Sequence, residues 1–144
     1  MSTITIVIPV YNEGQELAAN LDRIMEAVAF FPGVQFRYLL VNDGSRDDTV
    51  QRVQAKVDEH SELELISLTR NFGKEAAIVA GLDYAQGDAA IIMDSDLQHP
   101  PELIPQMVRL WQEGMQVVEA CKSYRGREPW TRKLSAGGFY WMFA

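Results

Sequence analysis

Residues 91–101 read IIMDSDLQHPP, and this stretch is the one that most directly indicates the fold and the chemistry of the chain. A short apolar run ends in two aspartates, Asp94 and Asp96, and Pro101 suits the first turn of a helix. Side chains two residues apart in an extended segment point to the same side, so the two carboxylates are predicted to converge while Ser95 faces away. Two such anions repel each other unless a cation lies between them. Oxygen ligands suit Mg²⁺ or Mn²⁺, which usually keep open positions for the phosphates of a substrate.

The aspartate pair also has a purely structural interpretation, because aspartates at strand ends form turns and cap helices. The context favours a ligand site. The pair follows an apolar run and precedes a helix, which is where open α/β sheets bind their ligands. The stretch therefore indicates a nucleotide-diphosphate substrate held through a divalent metal.

Composition limits the class of protein. The chain has 144 residues, 47% of them hydrophobic and 23% charged, which is typical of one globular domain with a core. Its net charge of −7 argues against a nucleic-acid binder. No apolar stretch approaches the roughly 20 residues of a membrane span, and no signal peptide is visible at the start. Cys121 is the single cysteine, so an internal disulfide is excluded and a reducing cytoplasm is expected.

Short apolar runs alternate with helical patterns along the chain. Strands are predicted at residues 4–10, 36–41, 63–68, 89–93 and 117–120, with helices between them. Ser45 followed by Asp48 predicts a capping box at the start of the second helix. This order predicts an α/β fold with an open, mostly parallel sheet flanked by helices on both faces.

Polar residues follow each predicted strand, and the carboxyl ends of parallel strands lie on one edge of a sheet. Together they are predicted to surround a nucleotide. Tyr11 would pack on a base or ribose, Asp43 would accept hydrogen bonds from a base N–H, and Lys74 would approach phosphate. Gly44 and Gly73 would allow tight turns and close backbone approach. Neither the G-x-G-x-x-G fingerprint nor the G-x-x-x-x-G-K-[ST] loop occurs, so dinucleotide-binding and P-loop classes lose their main support.

Residues 122–133 form a basic segment in this acidic chain. They hold a single acid, Glu128, against five basic residues: Lys122, Arg125, Arg127, Arg132 and Lys133. The segment runs into the aromatic and apolar residues 139–143. An amphipathic helix with a basic entry and an aromatic face suits a membrane interface. The alternatives are a terminal helix that packs on the sheet and a helix that belongs to a larger protein.

Four motifs, taken together and in order, resemble family 2 glycosyltransferases. They are VIPVYNE at 7–13, VNDGS at 41–45, RNFGK at 70–74 and MDSDLQHPPE at 93–102. The likeness is greatest to the polyprenyl-phosphate branch, which includes dolichol-phosphate mannose synthase and the undecaprenyl-phosphate sugar transferases. This resemblance implies a GT-A fold and an inverting transfer of a sugar from a nucleotide sugar to a lipid phosphate.

The resemblance also implies roles for individual residues. The nucleotide would lie against Pro9, Tyr11, Glu13, Asp43, Lys74 and Asp94. A divalent metal, Mg²⁺ or Mn²⁺, would be bound by Asp94, Asp96 and Gln98. The acceptor phosphate would be received by Lys122, Arg125, Arg127 and Arg132. The residues expected to be catalytic are Asp94, Asp96, Arg125 and Arg132. Residues 135–140 resemble the start of an interfacial helix.

These implications extend to organisation and location. Residues 1–121 are expected to form the nucleotide-sugar-binding domain, and residues 122–144 the acceptor segment and the start of the interfacial helix. Relatives in this branch run longer, so the chain is expected to be truncated, and its apolar end is expected to contact lipid or a second copy of the chain. The protein is expected to act in the cytoplasm on the inner face of the membrane, with a UDP-sugar preferred over a GDP-sugar.

Two other functions fit parts of the sequence. One is a nucleotide-binding module without transfer activity, which the intact Asp94 and Asp96 pair argues against. The other is a soluble nucleotidyltransferase, which shares the sheet type. That class requires a glycine-rich loop with Arg and Lys after the first strand, and residues 12–15 do not form one.

Overall fold

The computed structural model describes residues 1–121 and, as backbone, residues 142–143. In this part of the chain one sheet has six strands: β1 (Ser2–Val10), β2 (Val34–Asn42), β3 (Leu63–Ser67), β4 (Ala89–Ile92), β5 (Val117–Val118) and β6 (Met142–Phe143). Their order across the sheet is β3-β2-β1-β4-β6-β5, and β1 to β4 run parallel to one another. The predicted open, mostly parallel sheet is therefore confirmed.

Register places the carboxyl ends of the parallel strands side by side. Val10 at the end of β1 lies opposite Asn42, and Asn42 lies opposite Ser67 at the end of β3. β4 ends earlier, with Ile92 opposite Val7 of β1. The segment after β4 therefore begins beside the last residues of β1, so all four following loops meet at one edge.

Helices cover both faces of the sheet, as predicted. They are α1 (Glu16–Val28), α2 (Thr49–Glu59), α3 (Lys74–Tyr84) and α4 (Ile104–Gln112), the last preceded by a single 3₁₀ turn (Pro101–Leu103). Residues of α1, α2 and α4 join alternate residues of β1 in the larger core, while Ala77 of α3 packs with Val7 and Val41 on the other face. This split follows from the period of two in β1, whose apolar residues point to opposite faces in turn.

The short strands at one edge differ from the prediction. The fifth strand is only Val117–Val118, and it pairs with β6 rather than with β4. β6 lies antiparallel between β4 and β5. The sequence instead favours a helix at residues 142–143, so this strand corrects the prediction. Two residues are too few to show a strand pattern, so only the open strand edges on each side decide this pairing. The remaining predicted helix, at residues 135–140, lies outside the described residues. Among the residues that are described, no helix is long and apolar enough to cross a bilayer.

The predicted capping box is wrong. α2 begins at Thr49, and the side chain of Asp48 before it makes no capping hydrogen bond. The N–H of Thr49 donates instead to Oδ1 of Asp47 at 3.0 Å. Ser45 lies in the preceding loop, where its Oγ accepts a hydrogen bond from the backbone N–H of Asn12 at 3.0 Å. The hydroxyl joins two loops of the sheet edge, a long-range contact that competes with local capping.

Candidate functional site

The residues that follow the four parallel strands enclose one cavity at the carboxyl edge of the sheet. Its volume is about 210 Å³. Its lining consists of Pro9, Val10, Tyr11, Glu13, Asp43, Asn71, Gly73, Lys74, Asp94, Ser95 and Asp96. Every residue predicted to contact the nucleotide is in this set, and Asp96 joins them. Residues far apart in the sequence therefore meet because the strands are parallel.

Asp43 is a buried wall of the cavity and a structural tie. The residue is only 3% exposed, and its two carboxylate oxygens accept hydrogen bonds from the backbone N–H groups of Phe72 at 2.7 Å and Gly73 at 2.9 Å. A carboxylate has further lone pairs, so Asp43 can hold this loop and still accept a hydrogen bond from a ligand. The sequence predicts a ligand contact for Asp43 but not this tie between β2 and the loop after β3.

Gly44 allows the loop after β3 to lie so close. Its φ is +68°, a left-handed conformation that favours glycine, and a Cβ at this position would lie 2.5 Å from the backbone nitrogen of Asn71. Any side chain at position 44 would push that loop away from the end of β2. The predicted close backbone approach at Gly44 is therefore confirmed.

The loop after β1 is fixed by hydrogen bonds to the loop before α2 and to the first residue of α2. Besides the contact between Asn12 and Ser45, the N–H of Glu13 donates to Oγ1 of Thr49 at 3.0 Å. These contacts hold Tyr11 at the rim of the cavity, where 42% of the residue is exposed. An aromatic ring held in this way offers a face on which a base or ribose can stack.

Lys74 and Asp94 form an ion pair inside the lining. Lys74 is the first residue of α3, and its Nζ lies 2.5 Å from Oδ1 of Asp94. The Lys74 side chain is 53% exposed and that of Asp94 is 26% exposed, so both remain accessible from the cavity. The sequence predicts both residues at the phosphate end of the site but not their contact.

The segment around Asp96 does not have the extended geometry that the sequence predicts. β4 ends at Ile92, Ser95 and Asp96 lie in a turn, and Leu97 has a φ of +56°. The carboxylate of Asp96 accepts hydrogen bonds from the backbone N–H of Gln98 at 3.1 Å and from its Nε2 at 2.9 Å. An aspartate that accepts the N–H two residues later bends the chain, and this local bond replaces strand geometry. Asp94 and Asp96 still border one cavity, although not for the reason of strand alternation.

Ser95 is also placed differently. It does not face away from the site but is buried and contributes to the cavity lining. Its carbonyl oxygen accepts a hydrogen bond from Nδ2 of Asn20 in α1 at 2.8 Å. Asn20 is not among the residues that the sequence predicts for the site. The one hint in the sequence is that Asn20 is a polar residue at the helical spacing of the buried Leu17, Leu21 and Ile24.

The donor set fits a divalent metal that arrives with a ligand. Within the described residues, no cluster of three or more His, Cys, Asp or Glu side chains could hold a metal ion. Asp94 and Asp96 supply two carboxylates at the cavity, and Mg²⁺ is commonly bound by one or two carboxylates together with substrate phosphates and water. Gln98 is not part of the cavity lining, and its role as a third ligand stays a prediction.

The residues predicted to receive an acceptor phosphate lie outside the described part of the chain. They are Lys122, Arg125, Arg127 and Arg132. Their roles, and the proposed boundary between residues 1–121 and 122–144, stay predictions.

Comparison with known proteins gives a consistent result. A model of the family "Glycosyl transferase family 2" matches residues 5–142. The undecaprenyl-phosphate 4-deoxy-4-formamido-L-arabinose transferase of Pseudomonas syringae pv. syringae is 44% identical over 132 residues, which cover 90% of this chain and 38% of that protein. The bactoprenol glucosyl transferase of Shigella phage SfV is 37% identical over 137 residues, which cover 95% of this chain and 44% of that protein. The chain thus spans about two fifths of the length of these relatives.

Among solved structures, the fold matches a mannosyltransferase from Pyrobaculum calidifontis in complex with GDP-Man and Mn²⁺. The TM-score is 0.71 and the sequences are 26% identical, over 86% of this chain and 36% of that one.

Proposed function

The chain belongs to glycosyl transferase family 2, and from this premise we propose that it transfers a sugar from a nucleotide-diphosphate sugar to a polyprenyl phosphate, with inversion at the anomeric carbon. The main support for the proposal is a single cavity. It brings Tyr11 and Asp43, which are suited to contact a nucleoside, together with the acidic pair Asp94 and Asp96. Two relatives near 40% identity are named for transfer to undecaprenyl phosphate or bactoprenol, which supports a lipid phosphate as the acceptor.

The nucleoside half of the donor would lie where β1 and β2 end. Tyr11 would stack on the base or ribose from the rim, and Asp43 would accept a hydrogen bond from a base N–H at the buried wall. Pro9 and Glu13 would complete the base and ribose contacts. We propose a UDP-sugar rather than a GDP-sugar as the donor, a choice that a panel of nucleotide sugars tests.

The diphosphate half would lie beside Lys74, Asp94 and Asp96. Asp94 and Asp96, with Gln98 as the proposed third ligand, would hold a divalent metal that stabilises the negative charge on the leaving diphosphate. Lys74 would add a positive charge on the same side of the diphosphate. The neighbour of known structure contains Mn²⁺ with its GDP-Man, which supports a metal of this kind.

The acceptor needs little activation, because a lipid phosphate is already ionised at neutral pH. One of its oxygens would attack the anomeric carbon as the bond from that carbon to the diphosphate breaks and its electrons leave with the nucleotide. Basic side chains position such an anion for in-line attack. We assign this role to Arg125 and Arg132 as catalytic residues, with Lys122 and Arg127 as further phosphate contacts, at the inner face of the membrane.

A transfer assay tests the proposal. A panel of nucleotide sugars is supplied with undecaprenyl phosphate and Mn²⁺ to this chain and to a chain lengthened to match its relatives. We expect transfer from a UDP-sugar. Asp96→Ala should lower the transfer rate by on the order of 100-fold, since metal stabilisation of developing charge is worth several kcal/mol. The control is Asp83→Ala, an exposed carboxylate on α3 outside the cavity.

The outcomes separate the possible functions. Near-normal transfer by Asp96→Ala would contradict the metal role. Binding of UDP or GDP without transfer by either length of chain would contradict the transferase proposal and support a nucleotide-binding module instead.

A further inference from the structure

Asp94 is already paired with a cation in this structure, the ammonium group of Lys74. Nζ of Lys74 lies 2.5 Å from Oδ1 of Asp94, which is one of the oxygens that a metal would need. An ammonium group and a divalent metal cannot both lie against that oxygen without strong mutual repulsion. The two cations therefore compete for one carboxylate.

The position of Lys74 is set by the fold rather than by chance contact of a long side chain. Asp43 holds the N–H groups of Phe72 and Gly73, and Lys74 follows directly as the first residue of α3. The start of the lysine side chain is thus anchored to the end of β2. Its ammonium group reaches the end of β4 from this anchored point.

We propose that Lys74 is the resident counter-ion of Asp94, and that a divalent metal has to displace it before coordinating this carboxylate. When the nucleotide arrives, its diphosphate offers the displaced ammonium group a new anionic partner. The inference rests on the proposed function for the divalent metal at Asp94 and for the diphosphate as the new partner of Lys74.

The consequence is that metal and nucleotide should bind synergistically. Asp94, Asp96 and Lys74 leave the phosphate end of the cavity with a small net negative charge. A divalent metal alone reverses that sign, whereas a metal that arrives with a diphosphate does not. The resident ammonium group therefore weakens binding of metal alone more than binding of the metal with nucleotide.

The first experiment measures Mn²⁺ binding in the absence of nucleotide, by titration calorimetry or water-proton relaxation, to the wild type and to Lys74→Met. Because a partly exposed ion pair has a modest strength, we expect Lys74→Met to bind Mn²⁺ about threefold to fivefold more tightly. The matched control is Lys56→Met. Lys56 forms an ion pair with Asp22 at the same 2.5 Å between α1 and α2, away from the cavity. Its loss removes an equal charge and should change Mn²⁺ affinity by less than about twofold.

The second experiment repeats the titration in the presence of saturating UDP. In the wild type UDP should tighten Mn²⁺ binding, and in Lys74→Met this tightening should shrink by at least the same threefold to fivefold factor. Lys74→Arg retains the charge and should keep both the weaker Mn²⁺ affinity and the synergy. Circular dichroism of each variant confirms that it is folded.

Mn²⁺ affinity in Lys74→Met that equals or falls below that of Lys56→Met would overturn the proposal, as would loss of synergy in Lys74→Arg. This failure is distinguishable from failure of the proposed function. A change of Mn²⁺ affinity specific to Lys74→Met, with no sugar transfer from any donor, would support the counter-ion and contradict the transferase. Sugar transfer together with an unchanged Mn²⁺ affinity in Lys74→Met would support the transferase and contradict the counter-ion.

Discussion

Gly44 provides the sharpest test of how the backbone builds the site. Its φ of +68° is unfavourable for alanine, and an alanine Cβ would lie 2.5 Å from the nitrogen of Asn71 and 2.8 Å from Cα of Arg70. Both neighbours are backbone atoms, which cannot rotate away as a flexible side chain would. Gly44→Ala therefore requires the loop after β3 to move.

The magnitude follows from two separable terms. The left-handed conformation destabilises alanine relative to glycine, whereas the lower entropy of alanine in the unfolded chain offsets part of this cost. The net cost is about 1 kcal/mol. The forced displacement of a packed segment adds about 1–3 kcal/mol. Gly44→Ala should therefore lower the free energy of unfolding by about 2–4 kcal/mol, a large share of the 5–15 kcal/mol typical of a domain.

Gly33 supplies the matched control. Its φ is +76°, but a Cβ there would meet nothing within 4 Å. Gly33→Ala should lose only the conformational term, about 1 kcal/mol. Urea unfolding of both variants, followed by circular dichroism, measures the difference.

Gly44→Ala should also weaken nucleotide binding, whereas Gly33→Ala should not. The displaced loop carries the N–H groups that Asp43 holds and leads directly into Lys74. Equal losses of stability in the two variants would refute the argument that the close approach at Gly44 builds the cavity. Unchanged UDP affinity in a clearly destabilised Gly44→Ala would refute its link to the site.

Three further substitutions test separate contacts. Asp43→Asn should destabilise the domain by about 1–3 kcal/mol and weaken nucleotide binding. The amide has one oxygen that can accept from one of the two backbone N–H groups, while its NH₂ group would face the other N–H, donor against donor. Gly81→Ala should destabilise by about 1–2 kcal/mol, since a Cβ overlaps Val7 where α3 crosses the sheet, and Val7→Ala should recover part of the loss. Arg52→Met should let the pKa of Asp48 rise toward its ordinary 3.8, because the hydrogen bond and charge of Arg52 lower that pKa.

Each of these has a measurement and a control. Unfolding in urea and calorimetry with UDP report on Asp43→Asn, with Asp83→Asn as a surface control that should change neither. A double-mutant cycle measures the coupling at Gly81, and additive losses would contradict the overlap. For Arg52→Met, the carboxyl pKa is read by NMR titration. Because folding lowers that pKa, the wild type keeps this stabilisation above pH 3.8 and loses it as pH falls through the folded value, and an unchanged pKa in the variant would contradict the assignment.

Much of the frame follows from local patterns in the sequence. The apolar runs that form β1 to β4 are long enough to mark strands, and the helical spacing between them marks the crossovers. Parallel order then requires the loops after these strands to share one edge. That rule alone predicts that Tyr11, Asp43, Lys74 and Asp94 lie together.

The details of the site depend on contacts between distant residues, which leave no local pattern. Asp96 turns back to Gln98 instead of continuing a strand, because its carboxylate finds an N–H two residues on. Ser45 contacts Asn12 rather than capping α2, because the two loops meet at the sheet edge. β6 enters between β4 and β5 because unpaired strand edges there accept it.

The sequence by itself thus determined the sheet, its direction and the group of residues at its edge, since period, length and strand order are local properties. Only the tertiary structure decided which of those residues touch. The tie from Asp43 to the loop after β3, the bond from Asn20 to Ser95, and the ion pair of Lys74 with Asp94 each join elements far apart in the chain. A hydrogen bond or ion pair forms only when its two atoms lie within a few tenths of an ångström of the right separation. That separation is set only once all the layers have packed.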